Sequence, residues 1–156
     1  PLIIQQLLSR VTTYEMAGEY GQVVRVCKKA IIIDRKNAVV WDTLGHFYRM
    51  TGDLTRAVEA YREAVSIDPK FKSAQLNLGS ILMLQDKFKE AVPHFEQIRT
   101  LGPAGAVESK GDILAYHRLS LQMLVSCYEA LQDPDKKNEV IKELQLYYSD
   151  NIASTR

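Results

Sequence analysis

The amino-acid sequence predicts an all-α solenoid built from antiparallel helix pairs. Three observations carry that prediction. The chain resembles itself at an offset of 34 residues, apolar residues recur at i, i+3 and i+7 in the clearest copy, and turn residues stand where that pattern breaks. Its 156 residues are 46% hydrophobic, 25% charged and 8% aromatic, close to the soluble average, which excludes a collagen, a disulfide framework and a disordered tail.

The repeat is clearest in its second copy. Trp41, Leu44 and Tyr48 mark one apolar helical face, and Gly45 beside Leu44 lets a neighbouring helix approach closely. Thr51-Gly52-Asp53 reads as a turn, with Gly52 ending one helix in a left-handed conformation and Asp53 capping the next. Ala57, Tyr61 and Ala64 form the inner face of that next helix, and Asp68-Pro69 closes the unit because a residue before proline is driven out of the helical region. Thirty-four residues later, Gln75, Leu78, Gly79, Leu82, Ala91, Phe95, Ile98 and Pro103 occupy the same places. Thirty-four residues earlier, Leu7, Tyr14, Gly18, Cys27, Ala30 and Asp34 stand opposite Trp41, Tyr48, Gly52, Tyr61, Ala64 and Asp68.

The run Trp41, Leu44, Gly45, Tyr48, Ala57, Tyr61, Ala64, Pro69 resembles the tetratricopeptide repeat across its whole pattern, with Tyr for Phe. The third unit departs from the pattern at Gln75 and Leu82. The first is degenerate, with Arg10-Val11 in place of Leu-Gly and Arg35 in place of Pro. The resemblance implies a right-handed superhelical solenoid of about four units over the single array 1–156, with units at 4–37, 38–71, 72–105 and 118–150. Residues 106–117 are then an insertion or helix extension, and 151–156 a tail.

The register slips after Pro103. Residues 104–111 are small, polar and Gly-containing and read as a loop, and Asp112 opens a long helix through Leu131. Leu121, Leu124, Val125 and Tyr128 repeat the Trp-Leu-Gly-Tyr spacing there. Gln132-Asp133-Pro134-Asp135 makes the turn, and Val140, Leu144 and Tyr147 line the last helix. Pro93, about five residues into its helix, predicts a mild bend.

Nothing in the pattern points to catalysis. His46, His94 and His117 stand apart, none with a Cys, Asp or second His at metal-ligand spacing, and no phosphate-binding glycine run or nucleophile motif is present. The reading is of a chain that is not an enzyme, with no cofactor and no metal. Cys27 and Cys127 fall inside helical patterns and read as small buried hydrophobes. Twenty Lys and Arg against 19 Asp and Glu argue against a nucleic-acid surface, including the base-reading mode of related helical repeats.

Binding of a protein partner remains, and the repeat says where. With the Trp-Leu-Tyr face packed inward, the opposite stripe of each first helix lines the concave groove. That stripe contains Gln5, Leu8, Ser9, Thr12, Glu15 and Met16 in the first unit and Asp42, Thr43, His46, Arg49 and Met50 in the second. Ser73, Leu76, Asn77, Ser80 and Met83 follow in the third, and Gln122, Ser126 and Glu129 in the fourth. The candidate site is therefore Thr12, Glu15, Asp42, Thr43, His46, Arg49, Asn77, Ser80, Met83 and Gln122, a mixed surface suited to an extended peptide or a partner helix.

The resemblance also implies a negative. Tetratricopeptide domains that clamp the acidic tail of heat-shock chaperones use Lys, Asn and Arg at positions occupied here by Leu8, Thr12, Thr43, Ser73 and Asn77, so no cation is left to pair a carboxylate. A second reading is self-assembly through apolar repeat ends: Leu2, Ile3, Ile4 and Leu7 at one, Leu146, Tyr147 and Tyr148 at the other. Pro1 in place of Met reads as a segment of a longer or processed protein. No signal peptide or membrane-length apolar run is visible, so the expected compartment is the cytoplasm.

Overall fold

Where the apolar periodicity is interrupted, the chain turns back on itself. The computed structural model describes residues 2–102 and 110–148, with side chains in the second stretch from 115 onward. Among the described residues there are eight α-helices and no strand: α1 (Leu2–Met16), α2 (Tyr20–Ile33), α3 (Ala38–Met50), α4 (Leu54–Ile67), α5 (Lys72–Leu84), α6 (Phe88–Leu101), α7 (Lys110–Ala130) and α8 (Pro134–Tyr148). The chain divides into two compact units, Pro1–Ala74 and Gln75–Arg156, with the division inside α5.

The turns within the helix pairs are one structure used four times. Gly18, Gly52, Asp86 and Gln132 all take positive φ, at 70°, 80°, 57° and 56°. After each, the next residue donates its amide back across the turn: Glu19 to the Tyr14 carbonyl, Asp53 to Tyr48, Lys87 to Leu82 and Asp133 to Tyr128, at 2.8–2.9 Å. Such bonds satisfy carbonyls that the end of a helix leaves unpaired. The first three left-handed residues keep the 34-residue offset, and Gln132 follows Asp86 by 46. Asp53 and Asp133 cap the following helices, accepting the amides of Arg56 and Lys136 at 3.1 Å each.

In the first unit α1 packs on α2, α2 on α3 and α3 on α4. The core contains Ile4, Val11, Val23, Val26, Cys27, Ala30, Val40, Leu44, Phe47 and Ala60. Tyr20 lies against Phe47 with ring centroids 6.0 Å apart. Ala57, Tyr61 and Ala64 are fully buried, as the repeat requires of an inner face. Of the Trp-Leu-Tyr set only Leu44 is fully buried. Trp41 and Tyr48 remain half-covered, and Phe47 on the next turn takes the deeper place.

In the second unit α6 packs on α7 and α7 on α8. Leu78, Ile81, Leu82, Phe95, Ile98, Leu121, Leu124, Cys127 and Val140 are buried. Gln75, at the place of the repeat's Trp, is buried as well, and its Oε1 lies 2.7 Å from His94 Nδ1, so a polar pair fills the aromatic's site. Three expectations are corrected. The long helix opens at Lys110, two residues before Asp112, because Lys110-Gly111 are helical; residues 104–109 of the expected loop, like the tail, lie outside the described residues. Tyr147 is exposed, and its neighbour Tyr148 packs inward, its hydroxyl 2.7 Å from His117 Nδ1. Ile4 belongs to the core and Leu7 packs against it, which leaves Leu2 and Ile3 as the exposed apolar residues of the first turn of α1.

Candidate protein-interaction surface

The expected stripe is exposed or half-exposed in both units. In the first unit Thr12, Glu15 and Arg49 are exposed and Asp42, Thr43 and His46 half-covered. Two cross-helix contacts join its members. Glu15 Oε1 on α1 lies 3.9 Å from His46 Nε2 on α3, and Ser73 Oγ at the start of α5 lies 3.1 Å from Asp42 Oδ2. Thr12 and Thr43 are tied to neither pair; the Thr43 hydroxyl donates to the Val39 carbonyl of its own helix at 2.8 Å, which leaves its oxygen lone pairs toward solvent.

Two stripe residues bear on the buried Tyr61. Burial pushes the Tyr61 phenol well above its ordinary pKa, the charge of Asp42 adds to that shift, and the charge of Arg49 opposes it. The opposite charges of Asp42 and Arg49 thus both act on one buried phenol.

In the second unit Asn77, Ser80 and Met83 follow one another at three-residue spacing on α5, all half-covered, with the Ser80 hydroxyl donating to the Leu76 carbonyl at 2.7 Å. Gln122 is exposed on α7, its carbonyl accepting the Ser126 hydroxyl at 3.4 Å. Glu129 is held by Lys137 at 2.9 Å across the α7–α8 turn.

One apolar position was missed. Met16 is 86% exposed, Met50 52% and Leu84 75%, and the three are spaced by 34 residues. The offset that aligned the repeats was the signal for Leu84. A series of flexible apolar side chains at the same place in successive repeats suits adaptable contact with a partner.

Both thiols are buried and free. Burial raises Cys27 to about 12 and Cys127 to about 11, so neither is an activated nucleophile. Among the described residues no group of three His, Cys, Asp or Glu is placed to hold a metal, and no helix is long and apolar enough to cross a membrane.

Residues 7–146 match the family model described as Cilia and flagella-associated protein 70 middle TPR-like domain. Human Superkiller complex protein 3 is 29% identical over 91 residues, which are 58% of this chain and 6% of that protein, so the chain spans a small part of that relative's length. A tetratricopeptide repeat protein from Parabacteroides merdae superposes with a TM-score of 0.79 at 16% identity, covering 96% of this chain and 55% of that one. The first such domain of Spaghetti bound to an HSP90 peptide superposes with a TM-score of 0.62 at 19% identity, covering 78% and 94%. The fold is that of the tetratricopeptide repeat, a fold of protein-interaction modules.

Proposed function

The chain belongs to the family of the Cilia and flagella-associated protein 70 middle TPR-like domain, and from that premise we propose that it is a non-catalytic interaction module of a larger scaffold or adaptor. Each unit presents its own stripe to a partner peptide or helix: Thr12, Glu15, Asp42, Thr43, His46 and Arg49 in the first, Asn77, Ser80, Met83 and Gln122 in the second. The observation that carries this reading is the first-unit stripe, where Glu15 and His46 meet across two helices beside the exposed Met16 and Met50. Polar groups with spare acceptors next to mobile apolar ones are what an extended chain or an amphipathic helix needs. The repeat units at 4–37, 38–71, 72–105 and 118–150, with 106–117 inserted, are part of the proposal.

The test is selection of peptides from a displayed random library against the whole chain, followed by NMR mapping of the selected peptide. Shifts of the Thr12, Thr43 and His46 amides are expected. Selected peptides that shift none of the stripe amides would sink the reading.

The module acts without cofactor, metal or nucleic acid, and in the cytoplasm. An oligonucleotide that binds at physiological salt, or immunofluorescence confined to a lumen, would contradict those parts. The stripe does not clamp an acidic chaperone tail, since Leu8, Thr12, Thr43, Ser73 and Asn77 provide no cation. Titration with an HSP90 tail peptide that shifted the Thr12, Thr43 and Asn77 amides would overturn this.

Self-assembly is a second reading, favoured by the exposed Leu2 and Ile3 on α1 and Leu146 and Tyr147 on α8. Light scattering across a wide concentration range decides it. A strict monomer ends that reading and leaves the first intact.

A further inference from the structure

The outward face of α2 departs from the repeat to which it belongs. Arg25, Lys28, Lys29, Ile32 and Ile33 stand at i, i+3, i+4, i+7 and i+8, which is one face of a helix, and all five are exposed. At the same places 34 residues later, α4 has Glu59, Arg62, Glu63, Ser66 and Ile67. Glu59, Glu63 and Ser66 are exposed as well, so packing does not ask for cations or for Ile32 at these positions. α2 contains no carboxylate, whereas α4, α6 and α8 each mix both signs.

The turn after α2 extends this face. Arg35 and Lys36 are exposed there, and Val39 is exposed on the first turn of α3. The turn is held in place: the Trp41 indole donates to the Arg35 carbonyl at 2.9 Å, and Asp34 Oδ1 accepts the Lys36 amide at 3.0 Å. None of the five cations forms an ion pair among the described residues. Asp34 is the one carboxylate between Arg25 and Val39, and α4 with its cap sets Arg56 and Arg62 against Asp53, Glu59 and Glu63. With all of these counted, the surface keeps an excess of three positive charges. Glu19 lies at the far end of α2, roughly 9 Å along the axis from Arg25.

Apolar side chains project among these cations. Ile32 is 85% exposed, Ile33 50% and Val39 49%. A purely acidic peptide or a phosphate backbone would satisfy the charges and leave the aliphatics in water. The surface of an anionic bilayer takes both, with headgroups on the cations and aliphatic tips in the interface between them. Five cations fall within the cluster of about four to eight that such a surface attracts.

We propose that the outward face of α2 and the turn that follows it form a peripheral, reversible contact with a membrane leaflet rich in anionic lipid. The contact lies on the surface and spans nothing. The stripe of the first unit is on α1 and α3, so a partner held there can be carried to the membrane by a different helix.

The probe is vesicles of phosphatidylcholine mixed with phosphatidylserine, sedimented with the full 156-residue chain at low and at physiological salt. Vesicles of phosphatidylcholine alone are the control. Binding to the phosphatidylserine vesicles only is expected, weakened by salt and weakened about tenfold by Lys29→Glu. Ile32→Ser should weaken it about threefold, because one aliphatic tip is lost from the interface. Both substitutions copy what α4 has at the same place and both side chains are exposed, so unchanged circular dichroism is expected. Thr43→Ala leaves vesicle binding unchanged, which separates this face from the stripe. A fluorescein-labelled Glu-rich peptide, read by anisotropy, tests the competing occupant. Peptide binding lost in Lys29→Glu without any vesicle binding would assign the face to an acidic protein and overturn the proposal. Equal binding to phosphatidylcholine vesicles, or indifference to both substitutions, would overturn it too.

Discussion

A Cβ placed on Gly45 would stand 2.9 Å from both Cδ1 and Cε1 of Tyr61. The ring is fully buried and lies flat over the glycine, so α3 and α4 touch there through backbone and aromatic face. The second unit repeats the arrangement, with a Cβ on Gly79 2.7 Å from Phe95 Cζ. These contacts set how closely the two helices of a pair approach, and therefore where the stripe residues on α3 and α5 stand.

Gly45→Ala is expected to lower stability. Alanine is intrinsically the better helix former by about 1 kcal/mol, but overpacking a rigid site costs about 1–3 kcal/mol, and a buried ring cannot swing aside. The overlap therefore wins, and the thermal midpoint falls by several degrees. Tyr61→Leu in the same chain should recover part of the loss. An unchanged or raised midpoint for Gly45→Ala would show that the ring can yield.

Arg99 is expected to be the most sensitive charged residue of the second unit. Its guanidinium bonds Glu143 at 2.7 Å and Glu96 at 3.2 Å and also reaches Glu139, while the Tyr128 hydroxyl donates to Glu96 at 2.8 Å. Burial would lower its pKa, yet the hydrogen bonds it donates to Glu139 and Glu143 and the charge of Glu96 hold it above the ordinary value. Arg99→Met leaves three carboxylates facing one another and should cost about 2–3 kcal/mol in urea unfolding. Lysine, a point charge without the planar fork, should recover only part of that. A loss below about 0.5 kcal/mol would mean that solvent already screens the cluster.

The thiols predict the alkaline limit of the fold. Cys27 and Cys127 have folded pKa values of about 12 and about 11 against 9.0 ordinarily, so the folded chain keeps protons that the unfolded chain releases. Stability from this source is complete below pH 9 and declines as pH rises toward 11–12. Tyr61, shifted in the same direction, adds to the decline above pH 10. Urea midpoints should fall across that window, and less steeply for Cys27→Val. Midpoints that held or rose there would contradict the assignment. Native protein should also resist alkylation at mildly alkaline pH.

How far the sequence was legible depends on what each signal reports. The 34-residue offset located the helix pairs because Gly45, Ala57 and Tyr61 are constrained to one packing solution. The same offset points from Gly52 to Asp86 but not to Gln132, which lies 46 residues further on, and residue type hid both, because the return bonds from Lys87 and Asp133 stabilise their left-handed conformations without glycine. Nor could it say whether an aromatic is covered: Trp41 and Tyr48 read as core, yet they floor an open cavity whose walls come from helices on either side. The stripe was legible as a face of each helix. The Glu15–His46 and Asp42–Ser73 contacts were not, since each depends on the approach of two helices that only packing sets.

The central claim is that the stripe holds a partner, and calorimetry with a peptide selected against the chain tests it most directly. The stripe account predicts that Thr43→Arg weakens binding of that peptide by about tenfold or more, roughly 1.4 kcal/mol, while Ile32→Glu on the other side of α3 leaves it unchanged. A peptide that binds the Thr43→Arg chain as tightly as the original would contradict it.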